Sequence, residues 1–440
     1  MSILDKYEEL VNRTETIKFN GKVKRVVGLT IEGTGPQGIL GEICNIILTE
    51  PDGKEYKIDA EVVGFKEDGI ILMAYEDFSG IAQGFPIVGT NKSLQIPVGP
   101  SLLGRILNGK GEPIDGKGPI DFETFYSIFR KNISALKKPR ITEKFSTGIK
   151  AIDALLTVGA GQRVGIFSGS GIGKSTLLGM IAKYCESDVN VIALIGERGR
   201  EVNDFLEKNL GKEGLQKSVV VVATSDESPL MRLRGAFVAT TIAEYFRDKG
   251  LNVLFLMDSV TRFARAQREI GLATGEPPST RGYPPSVFTL LPNLLERTGP
   301  FQKGSITAFY TILVEADDMN EPIADNVRAI LDGHIVLSRD LASINHYPAI
   351  DILNSISRVM IDVVDNKHLQ LANKVREILA IYKEAYDLIN IGAYAKGSNP
   401  KIDYAIQMID KVNSFLKQGI NEKFSFDETL KMLSQLFENN

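Results

Sequence analysis

Apolar positions change period several times along this chain, and each change marks a different kind of element. Ile3, Tyr7, Leu10, Val11 and Ile17 recur at helical spacing with Asp5, Glu8, Glu9 and Arg13 between them, which predicts an amphipathic helix over residues 1–18. Such a short terminal stripe needs a cover, either its own domain or a partner protein, and the pattern leaves both open. From residue 20 to about 90 the period shortens. The runs Gly21–Leu29, Gly41–Leu48, Tyr56–Phe65 and Ile70–Ala74 are rich in Val and Ile and divided by Gly, Pro and Asp clusters, the pattern of a small all-β domain. A connector rich in Gly and Pro follows at Gly99–Pro119.

Beyond about 150 the pattern becomes strand, loop, helix. Arg163–Ser168, Val189–Ile195, Ser218–Ala223, Asn252–Met257 and Ser305–Val314 are apolar runs of strand length, with helical stretches such as Ser175–Tyr184 and Gly235–Arg247 between them. That alternation predicts a parallel sheet with helices on both faces. After about 366 only helical patterns remain, at Leu369–Ile389, Lys401–Lys417 and Phe426–Phe437.

This frame places one segment at a special position. Gly169, Ser170, Gly171, Ile172, Gly173, Lys174, Ser175 and Thr176 follow the strand Arg163–Ser168 and open a helix. Glycines let backbone N–H groups curl around phosphate oxygens, and a helix N-terminus adds positive potential. Lys174 would reach the outer phosphates and the Ser175 hydroxyl would coordinate Mg²⁺. Ser168 stands where the usual phosphate-loop pattern has Gly. Two acids belong to the same edge of the sheet. Asp258 ends an apolar strand, where a carboxylate can hold Mg²⁺ through its water shell; Asp258 or Ser259 can equally cap the next helix. Glu197 lies in the turn after Val189–Ile195 and can orient water toward a γ-phosphate, with Arg198 beside it to offset charge. A solvated, charge-rich turn is the plainer reading of the same residues.

Composition narrows the classes. The 43% apolar content of 440 residues suffices for large cores, and 51 basic against 55 acidic residues, a net charge of −4, argues against a chain that coats nucleic acid. No apolar run reaches the ~18–20 residues that span a bilayer, and the acidic start is unlike a signal peptide. Two cysteines and three scattered histidines offer neither a disulfide framework nor zinc spacing. A soluble cytoplasmic protein is expected.

The phosphate loop, Gly196-Glu197-Arg198, the stretch from Gly275 to Phe288, the run from Ile323 to Leu337, and His346–Asp351 through Ser355–Arg358 together resemble the type III protein-export ATPases, nearest to their flagellar branch. The wider relatives are the α and β subunits of rotary ATP synthases. The resemblance implies an N-terminal β-barrel at 19–92, a RecA-like P-loop NTPase domain with a mostly parallel sheet at 93–365 (93–150 a connector), and an α-helical domain at 366–440. It implies ATP and Mg²⁺ as ligands, Glu197 as the residue that activates water, Arg198 and Arg262 near the γ-phosphate, and Tyr347 stacked on adenine. Phe415 and Phe424 are candidates for closing the adenine pocket. Arg358 matches an arginine finger that reaches into a neighbouring subunit's site. Since Glu197 and Arg358 occur in one chain, identical copies can complete every site, and a homohexameric ring is implied.

The implied activity is Mg²⁺-dependent ATP hydrolysis energising export of flagellar proteins from the inner face of the cytoplasmic membrane. The implied partners are a dimeric regulatory or stator protein at residues 1–18, a central-stalk protein, a membrane export-gate protein, and chaperone–substrate complexes. In the Pro-rich loop Gly275–Phe288, Arg281 and Tyr283 are candidates for touching the stalk or an export component, and a rigid structural loop is the other reading. A catalytic subunit of a rotary or vacuolar-type ATPase, or an injectisome ATPase, is the alternative. A nucleic-acid translocase would need basic residues interleaved with aromatics, which residues 20–90 lack, so no nucleic-acid partner is expected.

Overall fold

The structure is a computed structural model that describes residues 20–36, 38–49, 54–134, 136, 138–314 and 318–438. The amphipathic stretch expected at 1–18 lies outside them.

The first β-rich run closes on itself. Strands Asn20–Val27, Thr30–Gly33, Glu42–Thr49, Glu55–Lys66, Gly69–Ala74 and Pro86–Ser93 form a barrel in the order first, second, fifth, fourth, third, sixth. Val23, Ile31, Cys44, Ile46, Val62, Leu72 and Ile87 fill its interior. Closure satisfies the strand edges that an open sheet of this size would expose. The stretch Gly21–Leu29, expected as one strand, ends at Val27 and turns back into Thr30–Gly33. Pro86–Ser93 was not foreseen, because Pro86 and Gly89 interrupt its alternation. The barrel seats on the next domain through a buried charge pair. Glu61 is fully buried and accepts from the Tyr75 hydroxyl at 2.5 Å and from Arg234 Nε at 2.9 Å.

Among the described residues the central sheet has nine strands. Across it run Ile350–Ser357, Gly333–Leu337, Arg163–Ser168, Ser305–Leu313, Asn252–Asp258, Val189–Ile195, Ser218–Ala223 and Ile106–Leu107, while Gly299–Pro300 pairs with Ser305–Leu313 off this path. Neighbours are parallel except at Ile350–Ser357 and Gly299–Pro300. Every residue of Val189–Ile195 and Ser218–Ala223 is buried, as a sheet covered on both faces requires. The helix expected at Gly235–Arg247 is longer, Pro229–Asp248. It starts where Ser228 accepts from Met231 N and Pro229 takes the first helical position.

Helices Asn366–Asn390, Pro400–Leu416 and Phe426–Glu438 complete the chain. Val375, Ala405, Met408, Phe415 and Leu433 share a core with Ile152 and Ile166. One face of the sheet is therefore continuous with the helical domain, and the two pack as neighbours.

Candidate active site

The phosphate loop sits between the strand Arg163–Ser168 and the helix Lys174–Tyr184. Gly171 and Gly173 adopt φ of +78° and +89°, a left-handed geometry that only glycine takes without strain. Gly173 is the helix N-cap and supplies no side-chain cap, so the first-turn N–H groups keep their donors for a ligand. Ser170 and Gly171 are exposed at the rim, Ile172 is buried, and Ser175 and Thr176 are half-buried.

Lys174 is the centre of a charged cluster. Its Nζ lies 2.5 Å from Asp258 Oδ1 and 3.6 Å from Glu197 Oε1. Burial pulls its ammonium down, but the two carboxylates outweigh that and the net direction is up. Asp258 also accepts from Thr311 Oγ1 at 2.7 Å. The capping question has a clear structural answer: Ser259 accepts from Arg262 N and caps the helix Val260–Ala273, which leaves the Asp258 carboxylate facing Lys174.

Glu197 is 8% exposed, and its Oε1 has no hydrogen-bond partner. Burial, followed by the charge of Asp258, pushes its carboxyl up to about 8 against the pull of Lys174. Ser168 Oγ and Arg262 Nε are likewise buried without partners. Buried polar atoms of this kind are costly unless a ligand or water completes them; Ser168 directly precedes the loop, and Glu197 Oε1 lies 3.6 Å from Lys174 Nζ. Arg262 is held against the turn that carries Glu197: a Cβ on Gly196 would stand 2.7 Å from Arg262 Cβ. Arg198, by contrast, does not join the cluster. Its side chain is 76% exposed and donates to Glu201 Oε1 at 3.2 Å.

Tyr347 lies over the loop, its ring within 3.4 Å of where a Gly173 Cβ would stand. Its carbonyl accepts from Gln418 N at 2.9 Å. Sequence reasoning missed Gln418, a lone amide in the helical region with no motif around it. It is buried; its Oε1 accepts from Lys150 N at 2.8 Å and its Nε2 donates to Gly148 O at 2.8 Å, so it ties the helical domain to the segment 148–150 as well as to Tyr347. Phe415 is buried in the core, whereas Phe424 is half-buried with Lys150 Nζ 4.7 Å from its ring centroid.

Arg358 stands elsewhere. It is exposed just past the edge strand Ile350–Ser357, and its N–H donates to Asp332 O at 3.1 Å. Asp332 pairs with Arg163, the first residue of the strand whose last residue precedes the loop. At ~3.3 Å per residue, roughly 17 Å of strand separates Arg358 from its own phosphate loop.

Comparison with known proteins agrees along the whole chain. The ATP synthase α/β family matches through its β-barrel domain at residues 23–91 and its nucleotide-binding domain at 148–357, and the C-terminal domain of the type III secretion EscN ATPase matches at 364–435. The flagellum-specific ATP synthase of Bacillus subtilis (strain 168) is 55% identical over 431 residues, covering 98% of both chains. The type 3 secretion system ATPase of Xanthomonas euvesicatoria is 50% identical, over 94% of this chain and 93% of its own. Among solved structures, the assembled ATPase EscN of enteropathogenic E. coli superposes with a TM-score of 0.90 at 46% identity, over 94% of this chain and 99% of that one. The same ATPase in complex with its central stalk EscO gives 0.87.

Proposed function

The chain belongs to the export ATPases of the flagellar and type III secretion systems, relatives of the ATP synthase α and β subunits, and from that premise we propose that it works as a homohexameric ring powering flagellar protein export. The loop N–H groups and Lys174 grip the β- and γ-phosphates. Among the described residues no group of three or more His, Cys, Asp or Glu suits a metal. That fits Mg²⁺, which is commonly held by one or two side chains and the nucleotide's own phosphates; here Ser175 and Asp258 would hold it. Held by these residues, Mg²⁺ would supply neutralisation and alignment of the phosphate oxygens.

Glu197 orients the attacking water and accepts its proton. A carboxyl that burial and the charge of Asp258 push up is the better proton acceptor for it. Arg262 faces the outer phosphate, and Arg198 joins it by leaving Glu201. Tyr347 stacks on adenine, with Phe424, the more open of the two phenylalanines, closing the pocket. Arg358 serves the neighbouring copy, since its own loop lies beyond its reach. The ring acts at the inner face of the cytoplasmic membrane with an export-gate protein, chaperone–substrate complexes and a central stalk like the one in the EscN–EscO complex. A dimeric regulator binds residues 1–18.

The observation that carries this reading is Lys174 shared between Asp258 and Glu197, whose Oε1 is buried beside the loop without a hydrogen bond. Glu197→Gln should keep ATP affinity and stop turnover, because an amide accepts no proton. Lys174→Ala should lose both together. Rapid turnover in the Gln variant removes Glu197 from the role. Pull-down from the native cell separates flagellar from injectisome service by the partners recovered.

A further inference from the structure

At the end of the strand remote from the loop, Asp332 gathers a second set of contacts. The Asp332 carboxylate accepts from Arg163 Nε and Nη2, both at 3.0 Å, and from Arg163 N at 3.1 Å, while Asp332 N donates to Arg163 O at 2.9 Å. Arg163 also pairs with Glu296. The Asp332 carbonyl receives Arg358 N at 3.1 Å and Gln162 Nε2 at 3.2 Å, and Arg358 Nη1 donates to Leu331 O at 3.3 Å. Gln162 is fully buried and also donates to Ser357 Oγ at 3.1 Å. Gly333 permits this closeness: a Cβ there would lie 2.7 Å from Ile356 O.

We propose that Asp332, locked by Arg163, is the positioning residue for Arg358. The proposal rests on the reading of Arg358 as the arginine lent to the neighbouring copy. An exposed arginine has a flexible stem, and here a single long bond from Nη1 to Leu331 O holds the tip, so placement depends most on the root. Here the root is bonded to a residue that is itself clamped through backbone and side chain together. A solvated ion pair would hold little. This one is a two-pronged arginine–carboxylate fork, with the Arg163 side chain only 15% exposed. Arg163 opens the strand that ends at the phosphate loop. One strand therefore carries the site a protomer uses at one end and the mount of the group it lends at the other.

The test is mixing of variants in one ring. Asp332→Asn should lower turnover by ~10–100-fold, the scale on which a misplacement of about 1 Å acts. Its nucleotide affinity should stay within about twofold of the parent, because its own loop is untouched. Mixed 1:1 with Glu197→Gln it should regain activity above either variant alone, since about a quarter of the interfaces then join an intact site to an undisturbed Arg358. Arg163→Lys, which keeps the charge and loses the fork, should behave alike and decides the matter if Asp332→Asn loses nucleotide binding. Arg358→Ala mixed with Glu197→Gln is the control. A gain in the control without a gain in the Asp332 and Arg163 mixtures overturns the proposal and leaves the role of Arg358 standing. No gain in the control removes that role and the proposal with it. Parental turnover in Asp332→Asn, or loss of nucleotide binding in both variants, also overturns it.

Discussion

The two ends of the strand Arg163–Ser168 make opposite use of charge. At the loop end, Lys174 is shared by two carboxylates, and Ser168 Oγ, Glu197 Oε1 and Arg262 Nε are buried without partners. At the far end, the Asp332 carboxylate takes three donors and its carbonyl two more. Under-satisfied groups raise the free energy of the empty site and are relieved by a ligand that completes them. A residue held by several donors, as the Asp332 carboxylate and carbonyl are, keeps its place. The contrast is between a cluster left open to a ligand and a residue fixed by its neighbours.

Loss of the lent group should have the largest effect. Arg358→Ala should reduce turnover of the assembled ring by ~10³-fold or more, as removal of arginine fingers does, with ATP affinity nearly unchanged. Steady-state hydrolysis and nucleotide binding on one preparation check it. A proportional fall in both would place Arg358 in ground-state binding.

The loop end should also reveal itself through stability. Glu197 has its folded-state carboxyl raised from 4.5 to about 8, so the folded protein binds its proton more tightly than the unfolded chain does. Its contribution to stability is therefore greatest at low pH and declines as pH rises from about 4.5 through 8. Without nucleotide, Glu197→Gln should raise Tm over the parent by a few degrees at pH 8 and by little at pH 5. An equal difference at both pH values contradicts the strained carboxyl.

The smallest effect is expected at Gln418. Gln418→Ala should raise KM for ATP several-fold and change kcat little, because it loosens the wall behind Tyr347 without touching the phosphates. A kcat change larger than the KM change would assign Gln418 to closure of the site instead.

The same contrast explains what the sequence allowed to be read. Strands buried on both faces, such as Val189–Ile195, are uninterrupted apolar runs and were found within a residue of their ends. Ile350–Ser357, at the sheet edge, alternates burial and carries Asn354 and Ser355, and it drew notice only as part of a family motif. The phosphate loop was legible because its glycines and lysine are contiguous. Glu197 and Arg198 were not separable: both lie in one charged turn, and only the packing of the Val260–Ala273 helix shows that one is buried and the other solvated. Gln418 carries no signal and Asp332 stands only as one residue of the run Ile323–Leu337, because their partners lie far away in sequence, at Tyr347 and Lys150 for one and at Arg163 for the other.

The central claim is that each site draws on two protomers, and ATP hydrolysis per subunit across a dilution series through the ring's dissociation range tests it most directly. Specific activity should climb with protein concentration in the parent and stay low and flat in Arg358→Ala. A parent whose specific activity is the same for dissociated subunits as for rings would contradict the account.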